Sequence, residues 1–193
     1  MTTIPGGLET HVEVEETGNL FEAAAAVFDR SHVYRYLLTR TWTSGLVVLF
    51  VMLNPSTADA GTDDPTLRRC RGFARRHGFG GLAVVNLFAL RATDPAALSE
   101  HPDPVGPATD AFIATAAADT DRHIAAWGAH PAARARAATV AAALTSAARR
   151  GSRPGLACLG LTKTGQPRHP LYLPSDSPLT TYPPGTSTKE PIR

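Results

Sequence analysis

A chain of 193 residues with 43% hydrophobic content is long enough to bury one sizeable core, and nothing in it calls for a second domain. Its formal net charge of +2 falls short of the basic excess that announces a polyanionic partner. The two cysteines, Cys70 and Cys158, exclude a four-thiolate zinc or iron–sulfur site and read as reduced thiols of the core.

Residues 1–19 lack a sustained period and carry Gly6, Gly7, Glu13, Glu15 and Glu16, as a mobile or edge-pairing lead-in would. The start of the chain lacks a basic stretch followed by an apolar run, and no apolar stretch reaches the length of a membrane span. A cytoplasmic protein without a membrane partner is therefore expected. A short helix is expected over 20–28, and a strand with a polar face over 33–42, pairing with the strand that follows it.

The run LVVLFVML (46–53) lies between Gly45 and Asn54-Pro55 and reads as a central strand buried on both faces. Asp64 and Pro65 then open a helix whose Leu67, Cys70, Phe73, Ala74 and His77 share one face. Gly78, Gly80 and Gly81 end it, and LAVVNL (82–87) reads as a second buried strand parallel to the first. After a proline-rich interruption, helices are expected over 108–118 and 131–150, with strands over 123–127 and 156–159. The whole is an α/β domain over residues 1–182, and proline and glycine make 183–193 read as a disordered tail.

In open α/β sheets ligands bind beyond the carboxyl ends of the strands, so the residues there have first claim on function. The first strand empties into Asn54-Pro55-Ser56-Thr57-Ala58-Asp59, followed by Asp63 and Asp64. A turn with a helix cap would use some of these residues, but three carboxylates and an amide exceed what one cap needs. Asn86 interrupts an aliphatic strand and must find partners, whether as a reader of a pyrimidine-like edge or as a tie between loops. Trp127 serves either as a stacking surface or as core, and Gly128 allows a backbone to approach a ligand. Lys163, Arg168 and His169 follow the last strand, and His169 in that loop is either a surface residue or a ligand contact, where an imidazole can stabilise developing negative charge. The arginines after the first loop read first as a solvated face, although Arg68, Arg71 and Arg75 share a stripe that could follow a phosphate backbone.

The chain carries no Walker-type loop, no GxGxxG after a strand, no HExxH and no GxSxG. His123 and His130 are poorly spaced for a metal, so neither metal nor cofactor is expected.

The segments LNPSTAD, DDPTLRRC, VVNLFALRATDP, AWG and CLGLTKTGQPRHPLYL resemble a small bacterial family of unknown function, over about residues 33–175. A more distant resemblance joins a strand ending in Asn-Pro, one ending in Asn, one ending in Trp-Gly and a late His-Pro to the uracil-DNA glycosylase superfamily. That likeness implies a three-layer αβα sandwich around a mostly parallel sheet. It also implies that Asn54 positions water, Asn86 reads a pyrimidine, His169 stabilises the departing base, and Trp127 and Gly128 form the corner. Where the superfamily usually continues His-Pro-Ser-Pro, this chain reads His169-Pro170-Leu171-Tyr172.

The expected activity is hydrolysis of the N-glycosidic bond of a nucleobase, modified or not, in DNA or in a nucleoside. Asn54 would hold the water, Asp59 or Asp64 would act as base, and His169 would stabilise the leaving group. Pro55, Ser56, Thr57, Asn86, Trp127, Gly128, Arg68, Lys163 and Arg168 complete the expected contacts. Two alternatives stand beside it: a binding module of the same fold without catalysis, and a small-molecule enzyme of nucleotide metabolism. The sequence does not fix the oligomeric state.

Overall fold

A computed structural model describes residues 2–182, so the expected tail at 183–193 lies outside the described residues. The elements in chain order are β1 (Val12–Gly18), β2 (Ala23–Asp29), β3 (Arg35–Thr41), β4 (Val47–Met52), α1 (Pro65–Arg76) and β5 (Gly81–Asn86). They continue with α2 (Ala97–Glu100), α3 (Thr109–Asp119), β6 (Arg122–Ala125), α4 (Ala137–Arg150), β7 (Ala157–Cys158) and β8 (Thr180–Thr181). All eight strands join one sheet in the order β1-β2-β3-β5-β4-β6-β7-β8.

The parallel unit read from the sequence is present, with β4 between β5 and β6 and β7 beyond β6. The expectation of a mostly parallel sheet needs correction, because four of the seven pairings are antiparallel. The lead-in is one cause. β1 is an edge strand on β2, and the segment expected to be helical is β2 itself. Alanine favours a helix locally, but a hairpin turn decides here. Asn19 Oδ1 accepts from the backbone N–H of Phe21 and Glu22, and the Asn19 N–H donates to the Glu22 carbonyl at 2.8 Å. Ala25, Ala26, Val27 and Phe28 are then buried in the sheet.

The expected pairing of β3 with β4 is overturned, because β3 pairs with β2 and β5. β5 inserts between β3 and β4, and the chain passes so close at Gly80 that a Cβ there would lie 2.6 Å from the Thr43 carbonyl oxygen. Glycine is required at that crossing.

Helices cover both faces. On one side Leu67, Cys70, Phe73 and Ala74 of α1 pack against Val48, Phe50, Leu82 and Val84. On the other, Phe112 and Ile113 of α3 and Val140, Ala141 and Leu144 of α4 pack against Leu49, Val51, Ala83 and Val85. The alternation of strand residues between the two clusters is what a strand buried on both faces requires. Asp64 caps α1 through its side chain, and Pro65 stands in the first turn, where its missing N–H costs no helical bond. The run 131–150 is divided at Arg136, which follows a 3-10 turn (Pro131–Ala135) and donates from Nε to the Leu87 carbonyl at 2.8 Å. Both cysteines are free and buried. Among the described residues no helix is long and apolar enough to cross a membrane.

Candidate functional site

The parallel registers Met52↔Asn86 and Val51↔Ala125 bring the carboxyl ends of β4, β5 and β6 to one edge of the sheet. The segments that follow knit together there. Leu87 and Phe88 donate backbone N–H bonds to the carbonyls of Met52 and Leu53, and Ala92 donates to Pro55 at 2.9 Å. Between them opens a cavity of about 490 Å³, a volume suited to a small planar ligand. Its apolar floor includes Leu38, Met52, Leu67 and Val84, and its polar wall includes Arg35, Asn54, Asp64, Asn86 and His169.

Asn54 donates from Nδ2 to the carbonyls of Ala92, at 2.7 Å, and Pro55, at 3.1 Å. With both amide protons committed, Oδ1 is the atom left to accept from a water or ligand. Asn86 is 3% exposed, and its Nδ2 is buried with no partner. Such an orphan costs about 1–3 kcal/mol unless a ligand or water meets it.

His169 is half-buried and begins a 3-10 turn, its Nδ1 accepting from the Leu171 N–H at 3.3 Å. Burial lowers its pKa below the usual 6.5, and the nearby Asp64 carboxylate pulls it partly back. A neutral ring that accepts at Nδ1 carries its proton on Nε2 and so acts as a donor.

The three aspartates separate by position. Asp59 Oδ1 accepts from the N–H of Gly61 and Thr62 and holds a turn. Asp63 pairs with Arg40 and Arg71, each at 2.9 Å. Asp64 alone of the three lines the cavity, while its Oδ1 accepts from Leu67 N–H at 2.7 Å.

Ser56, Trp127 and Gly128 also line the cavity. The Trp127 ring serves the core as well, being 1% exposed and edge-on to Tyr182, with Nε1 donating to Gln166 Oε1 at 3.3 Å. Gly128 has φ +77° beside the Cβ of His169, so the corner needs glycine for its backbone conformation. Pro55, Thr57, Asp59, Arg68, Lys163 and Arg168 are not among the lining residues. In the arginine stripe, Arg68 donates to the Asp63 carbonyl, while Arg71 and Arg75 both bind Glu22 and lie over the Trp42 ring.

Sequence reasoning missed Arg35 and Tyr172. Arg35 opens an antiparallel strand, so its start sits beside the carboxyl end of β5, and its N–H donates to the Ala89 carbonyl at 2.9 Å. The mistaken pairing of β3 hid this placement. Tyr172 stands at the cavity 75% exposed, its ring 5.7 Å from that of His169. Its place immediately after the His-Pro-Leu segment was a usable signal. Among the described residues no three His, Cys, Asp or Glu side chains are grouped to hold a metal ion.

No curated protein and no solved structure matches the chain. Residues 35–171 match a family described as protein of unknown function (DUF1643), a span that begins at Arg35 and takes in Asn54, Asp64, Asn86 and His169. That match covers more than half of the chain, which therefore belongs to the DUF1643 family.

Proposed function

We propose that the protein hydrolyses the N-glycosidic bond of a nucleobase. The observation that carries this reading is the convergence of Asn54, Asp64, Asn86 and His169, from four separate segments, on one cavity. The resemblance of the Asn-Pro, Asn, Trp-Gly and His-Pro series to the uracil-DNA glycosylase superfamily supports it.

In this mechanism the ring of the base lies on the aliphatic floor and Asn86 donates to an oxygen on its edge. Asn54 Oδ1 accepts from a water, and the second carboxylate oxygen of Asp64 takes that water's proton. The bond between the anomeric carbon and the base nitrogen breaks as the water oxygen bonds to the carbon. The electron pair leaves with the base, where the Nε2–H of His169 stabilises it and the proton finally returns.

The substrate is a nucleobase in DNA or in a free nucleoside. The engagement of Arg71 and Arg75 by Glu22 favours the nucleoside, because those arginines are not free to follow a phosphate backbone. The same fold could also bind such a ligand without turnover. Incubation with nucleosides and with DNAs carrying varied base modifications, followed by mass spectrometry of released bases, tests the reading beside an Asn54→Ala control. Release of one base by the wild type alone supports hydrolysis. Retention of the ligand without release favours the binding module.

A further inference from the structure

Arg35 is a buried cation on the cavity wall, 5% exposed, and it forms no ion pair with a carboxylate among the described residues. A guanidinium has five N–H donors. Here Nη1 donates to the Ala58 carbonyl in the loop after β4, and Nε is buried without a partner. A strut on that loop would account for one donor and leave the rest of the charge unexplained. Removing a cation from water costs several kcal/mol unless a counter-charge meets it.

The surroundings do not supply that charge at contact distance. Burial lowers the Arg35 pKa to about 10, with Asp64 and Asp59 opposing the shift and Arg91 and Arg40 adding to it. Arg35 therefore stays a cation at neutral pH, with two guanidiniums and two carboxylates acting on it and none of those carboxylates in ion-pair contact. Asn86 Nδ2 is a second orphan donor on the same cavity. The two residues come from neighbouring strands, β3 and β5. Donors are thus in excess on this wall, and a ligand that satisfies them brings acceptors.

We infer that the cavity selects a planar heterocycle bearing an anionic pair of oxygens, of which a ring carboxylate is the simplest, with the oxygens paired to Arg35 and the ring edge read by Asn86. A fork of parallel N–H groups matches a carboxylate in both charge and geometry. The aliphatic floor fits the ring face, and the Asp64 carboxylate on the same cavity disfavours a dianion such as phosphate. The inference rests on the proposed nucleobase reading and narrows it to acidic bases.

Equilibrium binding separates the two, because it needs no turnover. Isothermal titration of the full chain with uracil, orotate, 5-carboxyuracil and benzoate, in a buffer free of carboxylate and phosphate, is the test. At least one of the two pyrimidine carboxylates should bind ten-fold or more tighter than uracil. That preference should collapse in Arg35→Gln and return in part in Arg35→Lys, with circular dichroism verifying that each variant is folded. The wild-type ratio is decisive even if Arg35→Gln fails to fold. Uracil binding as tightly as both carboxylates would overturn the inference and leave the nucleobase reading standing. Benzoate matching the pyrimidine carboxylates would overturn the selection for a heterocycle, and the nucleobase reading with it, leaving an anion site alone. Binding of neither pyrimidine carboxylate overturns the inference.

Discussion

Asp63 and Asp64 are neighbours in the chain whose carboxylates serve different parts of the molecule. Asp63 is held between Arg40 and Arg71, and Asp64 caps α1 and faces the cavity. The division follows from the turn into α1, where one residue is the cap and the residue before it points back toward β3. Both carboxylates look alike in the sequence, yet their removal should have opposite consequences.

Asp63→Asn strips the counter-charge from Arg40, whose side chain is 5% exposed. Breaking a buried pair from one side costs about 3–5 kcal/mol. Asp64→Asn keeps a side-chain oxygen that caps a helix as well as aspartate does, so it should lose less stability than Asp63→Asn, its cost being the charge that acts on buried Arg35. Urea unfolding of both variants checks the contrast. In a base-release assay Asp64→Asn should instead lower turnover by about 10²–10⁴-fold, the range for loss of a positioned general base. Equal losses of stability in the two variants would contradict this division.

Asp63 also sets an acid limit. Burial works to raise its pKa, but the hydrogen bonds and charges of Arg71 and Arg40 prevail and hold it below 3.8. A carboxylate whose folded pKa is depressed contributes stability in full above its unfolded value. That contribution is lost as pH falls from about 3.8 through the folded pKa, so wild-type and Asp63→Asn unfolding free energies should converge in that window.

Asn54→Ala removes the acceptor proposed to hold the attacking water and also the donor to the Ala92 and Pro55 carbonyls. Turnover should fall by about 10²–10³-fold, the range seen when one positioned polar group is lost from a reacting centre. Loss of the tie between the two loops should appear separately, as faster amide exchange at Ala92, whose N–H donates to the Pro55 carbonyl. Unchanged turnover would remove Asn54 from its role.

How much of this was legible in the sequence depended on where local signals coincided with tertiary ones. β4, α1 and β5 were readable because an unbroken aliphatic run, a capped amphipathic helix and a second aliphatic run leave one arrangement, parallel strands with a crossover. The convergence of Asn54 and Asn86 followed from that unit, since strands that are parallel deliver their ends to one edge, and His169 joins them from the segment after β7. β2 was misread because AAAAVFD prefers a helix until a hairpin and two neighbouring strands bury it. Arg35 was invisible for a related reason. An antiparallel strand contributes its first residue to the edge where parallel strands contribute their last, and the sequence does not state which strands are neighbours. Nor did spacing separate Asp59 from Asp64, because a turn and a helix cap use the same side chain.

Gly128→Ala tests the corner between β6 and the His169 segment. With φ at +77°, an added Cβ meets the steric penalty of the left-handed region, about 1–2 kcal/mol. The Cβ would also lie 3.6 Å from the Cβ of His169, an ordinary contact, so strain in the backbone is the main cost. Thermal unfolding should show a midpoint lower by about 2–8 °C, with circular dichroism at room temperature unchanged. A variant as stable as wild type would mean that the corner relaxes into another conformation.

His169 gives a signature in pH. Burial lowers its pKa below 6.5 in the folded protein, Asp64 only partly opposing, so below that pH the unfolded chain takes up a proton that the folded chain resists. Stability rises with pH wherever the unfolded state binds more protons, so this group destabilises the fold as pH falls from 6.5 toward its folded pKa and has no effect above. His123, fully buried in β6, is shifted in the same direction by burial, so the wild-type slope contains both. In His169→Gln one of the two uptakes is removed. Urea unfolding from pH 7.5 down to 4.5 should therefore show a shallower loss of stability in the variant than in the wild type, with the two curves parallel above 6.5. A variant that lost stability more steeply than wild type in acid would mean that folding favours the protonated ring, and with it that Nδ1 does not accept from the Leu171 N–H.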